Sequence, residues 1–377
     1  MDNLSAPQGT FQLSRFPRRR DEKLRAWDAA DEYMLQQLEE EKQPIKGCRL
    51  LILNDQFGAL AVALHHYHPC LVSDSWLAHQ GAKANLTDNG ITPESVKLRD
   101  SLSELEGTYD LILIKIPKSL AMLEYQLHQL HPHLHDSSRI IGGGMVKAIH
   151  SSTLKLFEKL IGPTQTSLAR KKARLIFPAP NSTLSVPANP YPSRYVLEGT
   201  HYLIRNHAGI FSRSSLDIGT RFLLEHLPQH TQYKQIIDLG CGNGIVGLMA
   251  ADKNPDATLT FVDESYMAVA SAKLNFEHAF GDSRTARFMT TDCLSGIPAS
   301  SADLILNNPP FHQQNVIGDF IAQQMFHESK NVLRQGGELW VIGNRHLGYH
   351  IRLKKLFGNC ETIASNKKFI ILRAIRQ

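Results

Sequence analysis

Residues 235–251 read Gln-Ile-Ile-Asp-Leu-Gly-Cys-Gly-Asn-Gly-Ile-Val-Gly-Leu-Met-Ala-Ala, and this stretch is the strongest indication of the fold of the C-terminal half. Its apolar start, through Asp238 to Leu239, predicts a buried strand, and Ile245–Ala251 predicts a helix. The glycines Gly240, Gly242 and Gly244 between them allow a tight turn and a close approach of backbone to a ligand. The G-x-G-x-G spacing differs from the G-x-G-x-x-G of dinucleotide binders, so a nicotinamide oxidoreductase is the least favoured interpretation.

Polar residues follow the next predicted strands in the same order. Asp263 closes one strand, where an acidic side chain can accept ribose hydroxyls, and Asp292 follows the next, where we expect an adenine edge. Asn308-Pro309-Pro310-Phe311 follows a third strand, Leu304–Leu306. Each carboxylate alone is equally compatible with a helix cap or a surface turn. Open α/β sheets bind ligands at the carboxyl ends of their strands, so the ordered set predicts a ligand site.

The chain has 377 residues, of which 42% are hydrophobic, so it fits two domains with sizeable cores. Residues 181–195 hold three prolines and no periodic pattern, which is typical of a linker. We predict one domain over residues 1–180, a linker with the start of a hairpin over 181–199, and a second domain over 200–377.

Short apolar runs alternate with amphipathic segments on both sides of the linker, which predicts βαβ units. The candidate strands are Arg49–Leu53, Cys70–Ser73, Leu111–Ile114, Arg139–Ile141, Gln235–Leu239, Leu259–Val262, Thr285–Met289, Leu304–Leu306, Glu338–Ile342 and Phe369–Leu372. The predicted fold class is α/β, with two tandem Rossmann-like domains, each a doubly wound and mainly parallel sheet.

The two halves resemble each other. Residues 72–86 parallel residues 262–276, with the same Ala-Lys-x-Asn spacing after an acidic strand end, and residues 51–58 occupy the slot of residues 237–244. Repeats of this length indicate duplicated domains, although two α/β domains also share such patterns by chance.

Charge is unevenly distributed along the chain. The net charge is +5 overall, but residues 201–344 carry −4 and residues 345–377 carry +7. Further basic clusters lie at residues 15–20 and 170–174. Such patches suit phosphate contacts with nucleic acid, and the alternative is a set of solvated faces.

The cysteines, the apolar runs and the histidine clusters bear on cellular compartment, membrane association and metal binding. The five cysteines lie far apart without a C-x-x-C pair, which excludes a disulfide framework or a standard zinc module and favours a reducing cytoplasm. No apolar run reaches bilayer length and the N-terminus lacks a signal-peptide core, so we expect no membrane partner. The histidine clusters at residues 65–68 and 131–135 lack cysteine or carboxylate partners, so we expect no metal.

Asn308-Pro309-Pro310-Phe311 resembles the (Asp/Asn/Ser)-Pro-Pro-(Tyr/Phe/Trp) motif of class I S-adenosylmethionine-dependent methyltransferases, which methylate amines conjugated to planar groups. Such an amine is a poor nucleophile, because its lone pair is delocalised into the ring. Two acceptors, the Asn308 side-chain oxygen and the Pro309 carbonyl, can hold its N–H groups and aim the nitrogen at the methyl donor. The resemblance implies that Phe311 stacks on the base, while the role of His312 stays open.

Other segments narrow the resemblance to ribosomal-RNA guanine-N2 methyltransferases, two-domain enzymes with a degenerate N-terminal copy. They are residues 211–220, Asn344-Arg-His-Leu347, Ser14-Arg-Phe-Pro17 and residues 26–33, and the last two favour the large-subunit branch. The resemblance implies S-adenosyl-L-methionine as cosubstrate, no metal, and 23S rRNA as partner during large-subunit assembly. It also implies a cytoplasmic monomer. The implied donor-site residues are Asp238, Gly240, Gly242, Gly244, Asp263 and Asp292, and the implied target-amine residues are Asn308, Pro309, Pro310 and Phe311.

The N-terminal half lacks these motifs. Asn54-Asp55-Gln56 replaces the glycines, and Lys115-Ile-Pro117-Lys118 stands where Asn308 and its neighbours stand in the other half. Lysine offers only donors and cannot orient an amine as asparagine does. We therefore predict that this half binds neither cofactor nor target base, and that its basic substitutions contact RNA phosphates.

Three alternatives remain open. The related enzymes that methylate guanine N2 in 16S rRNA are the nearest. Adenine-N6 and protein-glutamine methyltransferases share the Asn-Pro-Pro-(Tyr/Phe) motif. An inactive RNA-binding assembly factor is an alternative of another class, against which the intact glycine loop and Asn308 argue.

Overall fold

The computed structural model describes residues 2–20, 22–210, 216–310 and 316–377, with side chains of the last range from Phe320 onward. It divides the chain into two compact units, unit 1 (Met1–Tyr191) and unit 2 (Pro192–Gln377). The division falls inside the proline-rich stretch for which we predict a linker.

Strands and helices alternate along most of both units. Unit 1 contains β1 (Asp2–Ala6), β2 (Gly9–Leu13), α1 (Ala29–Glu40), β3 (Leu50–Leu53), α2 (Ala59–Ala63), β4 (Cys70–Ser73), α3 (Trp76–Asp88), β5 (Lys97–Asp100), β6 (Leu111–Lys115), α4 (Leu120–Leu130), β7 (Arg139–Met145), α5 (Ser151–Leu160), β8 (Thr164–Thr166) and β9 (Ala173–Pro178). Unit 2 contains β10 (Ser193–Val196), β11 (Leu203–Asn206), α6 (Ile218–Leu224), β12 (Gln235–Leu239), α7 (Ile245–Lys253), β13 (Thr258–Asp263), α8 (Tyr266–Phe280), β14 (Ala286–Thr290), β15 (Ala302–Asn307), α9 (Val316–Val332), β16 (Leu333–Asn344), α10 (Tyr349–Phe357), β17 (Glu361–Ser365) and β18 (Phe369–Ile375).

Both units share one sheet topology. The order is β5-β4-β3-β6-β7-β9-β8 in unit 1 and β14-β13-β12-β15-β16-β18-β17 in unit 2, and a separate two-stranded hairpin precedes each sheet. The first five strands in each order pair in parallel, and the last two pairings in each order are antiparallel. The predicted fold class is therefore confirmed.

The central strands of unit 2 are apolar on both faces, because helices cover both. Along β12, Ile236 packs on the face that carries α6, α7 and α8, and Ile237 packs on the face that carries α9 and α10. Phe276 of α8 and Phe326 of α9 are each 1% exposed and anchor these two cores.

Matching contacts in the two units support duplication. The backbone at Gly58 and Gly244 has positive φ, and a Cβ built on either glycine would lie 2.7 Å from an atom of Ala82 or Ala272, which occupy equivalent positions in the internal repeat. Asn85 and Asn275 are also equivalent, and each donates two hydrogen bonds through Nδ2. Asn85 donates to the carbonyls of Phe57 and Ser14, and Asn275 donates to those of Asn243 and Arg205. In each unit the first acceptor lies in the loop before a helix and the second lies in or just after the hairpin. Such a detailed repeat is not expected from shared fold class alone.

Each candidate strand overlaps an observed strand, but β16 begins five residues earlier than predicted. The polar and half-exposed strands β5, β8 and β17 have no apolar run by which to be found. No helix of the described residues is long and apolar enough to cross a bilayer.

Candidate active site

The glycine loop connects β12 to α7 in unit 2. Gly240, Gly242 and Gly244 all have positive φ, of 71°, 53° and 79°. The N–H of Gly240 donates to the Val262 carbonyl at 2.8 Å, which ties the loop to the next strand. A Cβ built on Gly242 would have no atom within 4 Å, so the backbone there borders open space. The loop thus leaves room for a ligand at Gly242.

Asp238 lies on β12, immediately before the loop, and is 3% exposed. Its Oδ2 accepts the N–H of Gly247 at 2.7 Å and so holds the first turn of α7. Burial, together with the nearby Asp263 carboxylate, raises the pKa of Asp238 to about 8, although the Gly247 N–H opposes the rise. A cation bound beside these carboxylates would favour their ionised forms.

Asp263 ends β13 and receives backbone donors from two sides. Its Oδ2 accepts the Gly242 N–H at 3.0 Å, and its Oδ1 accepts the Ser265 N–H at 3.0 Å. Burial raises the pKa of Asp263, and these N–H groups oppose the rise. One carboxylate therefore joins the glycine loop to the start of α8, at the edge where we predict ribose contacts.

Asp292 follows the end of β14 and is half-buried. Its Oδ2 accepts from Gln324 Nε2 of α9 at 3.1 Å. The predicted donor-site residues thus lie at the carboxyl ends of three adjacent strands, with acidic groups at each strand end.

Asn308 follows β15, the strand on the other side of β12. Its Nδ2 donates to Thr220 Oγ1 at 3.0 Å. Its Oδ1 is buried without a hydrogen-bond partner in the described part of the chain. Leaving a buried acceptor unpaired costs about 1–3 kcal/mol, so this oxygen marks a place where a ligand can supply the donor.

The remaining motif residues divide at the limit of the described chain. Pro309 is buried and Pro310 half-buried at the sheet edge. Phe311 and His312 lie outside the described residues. Asn307 stabilises the base of the motif, because its Nδ2 donates to the Leu239 carbonyl at 2.9 Å across β12.

The sequence does not predict Thr220 as a neighbour of Asn308. Asp217 caps α6 by accepting the Thr220 N–H at 2.9 Å. The Asp-x-x-Thr pattern indicates such a cap, but no local pattern shows that Thr220 meets a residue 88 positions away.

The equivalent edge of unit 1 is filled by its own side chains. Asp55 accepts N–H groups from Gly58 to Ala61, so a carboxylate occupies the helix start next to the loop. Lys115 Nζ lies 2.7 Å from Asp28 Oδ1 and 2.8 Å from Asp31 Oδ2. Burial would lower the pKa of Lys115, but the two carboxylates outweigh it and raise the pKa.

This geometry corrects one prediction. Lys115 is 8% exposed and neutralised by acidic partners, so it cannot contact a phosphate as the sequence predicts. The acidic partners of Lys115 lie at the start of helix α1, where Asp28 is the N-cap and Asp31 is in the first turn. The sequence around Lys115 gives no indication of this pairing. Lys118, three residues on, is exposed.

Among the described residues, only some side chains of the basic clusters are free of acidic partners and so available for the predicted phosphate contacts. Arg18 pairs with Asp88, Arg170 with Glu40, and Lys171 with Glu32. Other basic residues are exposed, namely Arg20, Lys172, Arg345, Lys354, Lys355 and Lys367.

Thiol and metal chemistry find little support in the described residues. Burial raises the pKa of the Cys241 and Cys293 thiols, which disfavours a thiolate nucleophile. No group of three or more His, Cys, Asp or Glu side chains is placed to hold a metal ion in that part of the chain.

Two family models match the chain, and they divide it as the units do. The RLMG N-terminal domain matches residues 1–182, and the methyltransferase small domain matches residues 201–373.

Relatives match over nearly the full length. Ribosomal RNA large subunit methyltransferase G of Streptomyces avermitilis is 49% identical and that of Aeromonas salmonicida 51% identical, covering 100% and 97% of both chains. The solved T. thermophilus 16S rRNA N2 G1207 methyltransferase, in complex with AdoMet and guanosine, superposes with a TM-score of 0.76. That superposition covers 100% of this chain and 98% of the other at 21% identity, and it supports the two-unit fold.

Proposed function

The chain belongs to the ribosomal RNA large subunit methyltransferase G family, and we propose that it transfers a methyl group from S-adenosyl-L-methionine to the exocyclic N2 amine of a guanine in 23S rRNA. The observation that carries the proposal is the buried Oδ1 of Asn308, which lacks a donor within the described chain. An exocyclic base amine supplies such a donor.

Asn308 and Pro309 would orient the target. The Asn308 oxygen and the Pro309 carbonyl would each accept an N–H of the amine, which aims the nitrogen lone pair at the methyl group. The same acceptors stabilise positive charge as it develops on nitrogen. Pro310 keeps the segment out of the ladder, and Phe311 is the proposed stacking surface for the base.

The residues of the glycine loop fit the methyl donor. When bound, S-adenosyl-L-methionine supplies an electrophilic methyl group on a cationic sulfonium. The open space at Gly242 would admit it, and Asp263 would accept from its ribose. Asp292 would stand at the adenine edge, while Asp238 holds the helix start and adds negative charge near the cation. Gly240 and Gly244 would shape the turn around it.

Unit 1 would bind RNA rather than donor. Asp55 and the Lys115 cluster fill the edge that unit 2 leaves open. Exposed cations such as Lys118 and Lys172 in unit 1, and those of residues 345–377 in unit 2, would contact phosphates. The target guanine must be unpaired or flipped, because N2 in a stacked pair cannot reach the donor.

We further propose that the protein acts as a cytoplasmic monomer on large-subunit rRNA during assembly. All five cysteines are free, in keeping with a reducing compartment.

Mass-spectrometric mapping of methylguanine in rRNA, with and without the gene, tests this function. We expect one N2-methylguanine to disappear from 23S rRNA and to return with the wild-type gene but not with Asn308→Ala. Loss of a methylguanine from 16S rRNA instead would favour the small-subunit alternative, and loss of methyladenine would contradict guanine as target. A donor-binding measurement on purified Asn308→Ala should give nearly wild-type affinity, since Asn308 serves the target and not the donor.

A further inference from the structure

Asn308 is held by a series of hydrogen bonds that runs through the side chains of Thr220 and Asp217. Its Nδ2 donates to Thr220 Oγ1 at 3.0 Å. The same hydroxyl oxygen lies 3.4 Å from Asp217 Oδ2, which also accepts the Thr220 backbone N–H at 2.9 Å. Asp217 is the N-cap of α6, so the cap of a helix leads directly to the proposed target-amine acceptor.

The donor and acceptor roles in this series of hydrogen bonds follow from its carboxylate end. A carboxylate only accepts hydrogen bonds, so in its 3.4 Å contact with Asp217 Oδ2 the Thr220 hydroxyl is the donor. The oxygen of Thr220 then offers only lone pairs to Asn308, and only the NH₂ of the Asn308 amide can satisfy them. The amide oxygen is thereby turned the other way, where it is buried and without a partner in the described chain.

An asparagine amide without such a partner exchanges its O and NH₂ positions at little cost. In the exchanged orientation NH₂ would face the target amine. Its hydrogens would compete for the lone pair that must attack the methyl group, and the acceptor for the amine N–H would be lost. Correct chemistry therefore requires something that distinguishes the two orientations.

We propose that Thr220, directed by Asp217, is a positioning residue that fixes the Asn308 amide with its oxygen toward the target amine. This inference rests on the proposed function, in which Asn308 accepts from that amine. Helix α6, which carries Thr220, is held in place because it packs against β16 and β18 and its Leu223 is fully buried.

The test compares Thr220→Val with Thr220→Ser in the full-length protein. Valine keeps the shape and removes the acceptor, whereas serine keeps the hydroxyl. The measurements are single-turnover methyl transfer to 23S rRNA from a strain lacking the gene, the KM for that RNA, donor affinity by calorimetry, and thermal unfolding. The RNA is offered both deproteinised and as the large-subunit particle.

We expect Thr220→Val to lower the methyl-transfer rate roughly 10- to 100-fold, as loss of one orienting hydrogen bond implies. Donor affinity and the KM for RNA should stay within about threefold, and Thr220→Ser should recover most of the rate. Asp217→Asn should keep the helix cap, because asparagine caps equally well. Its amide can also donate to Thr220, so the direction is lost and the rate should fall at unchanged stability.

A wild-type rate in folded Thr220→Val would overturn the proposal, as would an equal loss in the serine variant. A loss confined to KM would also contradict it. If Thr220→Val fails to fold, Asp217→Asn decides in the same way. Failure of the proposed function is recognised separately, because the wild-type protein would then transfer no methyl group to guanine N2 of 23S rRNA, or Asn308→Ala would retain that transfer.

Discussion

Replacing Gly242 with alanine should separate donor binding from folding. The backbone at Gly242 has φ +53°, and a Cβ there would meet nothing within 4 Å. Alanine in a left-handed conformation costs roughly 1–2 kcal/mol. For a domain of this size, that corresponds to a fall of about 2–8 °C in Tm. The open space that tolerates the methyl group is the space that we assign to the donor, so donor affinity should fall at least about tenfold, or 1.4 kcal/mol.

Gly244→Ala is the matched control, since this glycine has a similar conformation with φ +79° and no open space. A Cβ there would lie 2.7 Å from Ala272 Cβ and 2.8 Å from Ala272 Cα. Overpacking adds about 1–3 kcal/mol to the conformational cost, giving a total of about 2–5 kcal/mol. The second substitution should therefore damage stability more than the first.

Thermal unfolding and calorimetric titration with S-adenosyl-L-methionine measure the two effects. We expect Gly242→Ala to unfold cooperatively near the wild-type temperature while binding donor weakly. Wild-type donor affinity in this variant would refute the placement of the donor against Gly242. A greater loss of stability in Gly242→Ala than in Gly244→Ala would refute the packing argument.

Three other predictions concern both units. Lys115→Met should destabilise unit 1 by about 3–5 kcal/mol in urea unfolding, because it leaves Asp31 buried without its cation; an unchanged midpoint would contradict the ion pair. Burial raises the pKa of Asp238 from 3.8 to about 8 in the folded chain, so between these pH values the folded state keeps a proton that the unfolded state releases. Stability of the donor-free protein should consequently fall as pH rises from about 4 to about 8, and Asp238→Asn should flatten that slope in thermal scans; an unaltered slope would contradict it. Calorimetry should find one donor site per chain, because Asp55 closes the other edge, and a stoichiometry of two would contradict the degeneracy of unit 1.

Much of the fold can be predicted from local sequence pattern. Strand β12, the glycine loop and α7 follow from an apolar run, a change of periodicity and residues that permit positive φ, all within 20 residues. The duplication is also visible, since Asn85 and Asn275 recur at the same spacing and make matching contacts. The polar strands at the sheet edges escape prediction, because their half-exposed residues need no apolar alternation.

For the candidate site, chain order and strand ends predict which residues share the carboxyl edge of the sheet. They cannot show how each is used. The sequence predicts that Asp238 serves the donor, and the structure shows its carboxylate holding the start of α7. The sequence predicts that Lys115 meets phosphate, and this lysine is buried against Asp28 and Asp31 instead.

The α/β class, the tandem arrangement and the motif residues can all be predicted from the amino-acid sequence, because they depend on periodicity and on the conformations that single residues permit. The contacts between side chains that are distant in sequence are visible only in the folded chain: Thr220 with Asn308, and Asp31 with Lys115. Those meetings arise from the packing of helices on the sheet. The direction of a hydrogen bond and the burial of a charge are decided there, by neighbours that lie far away along the chain.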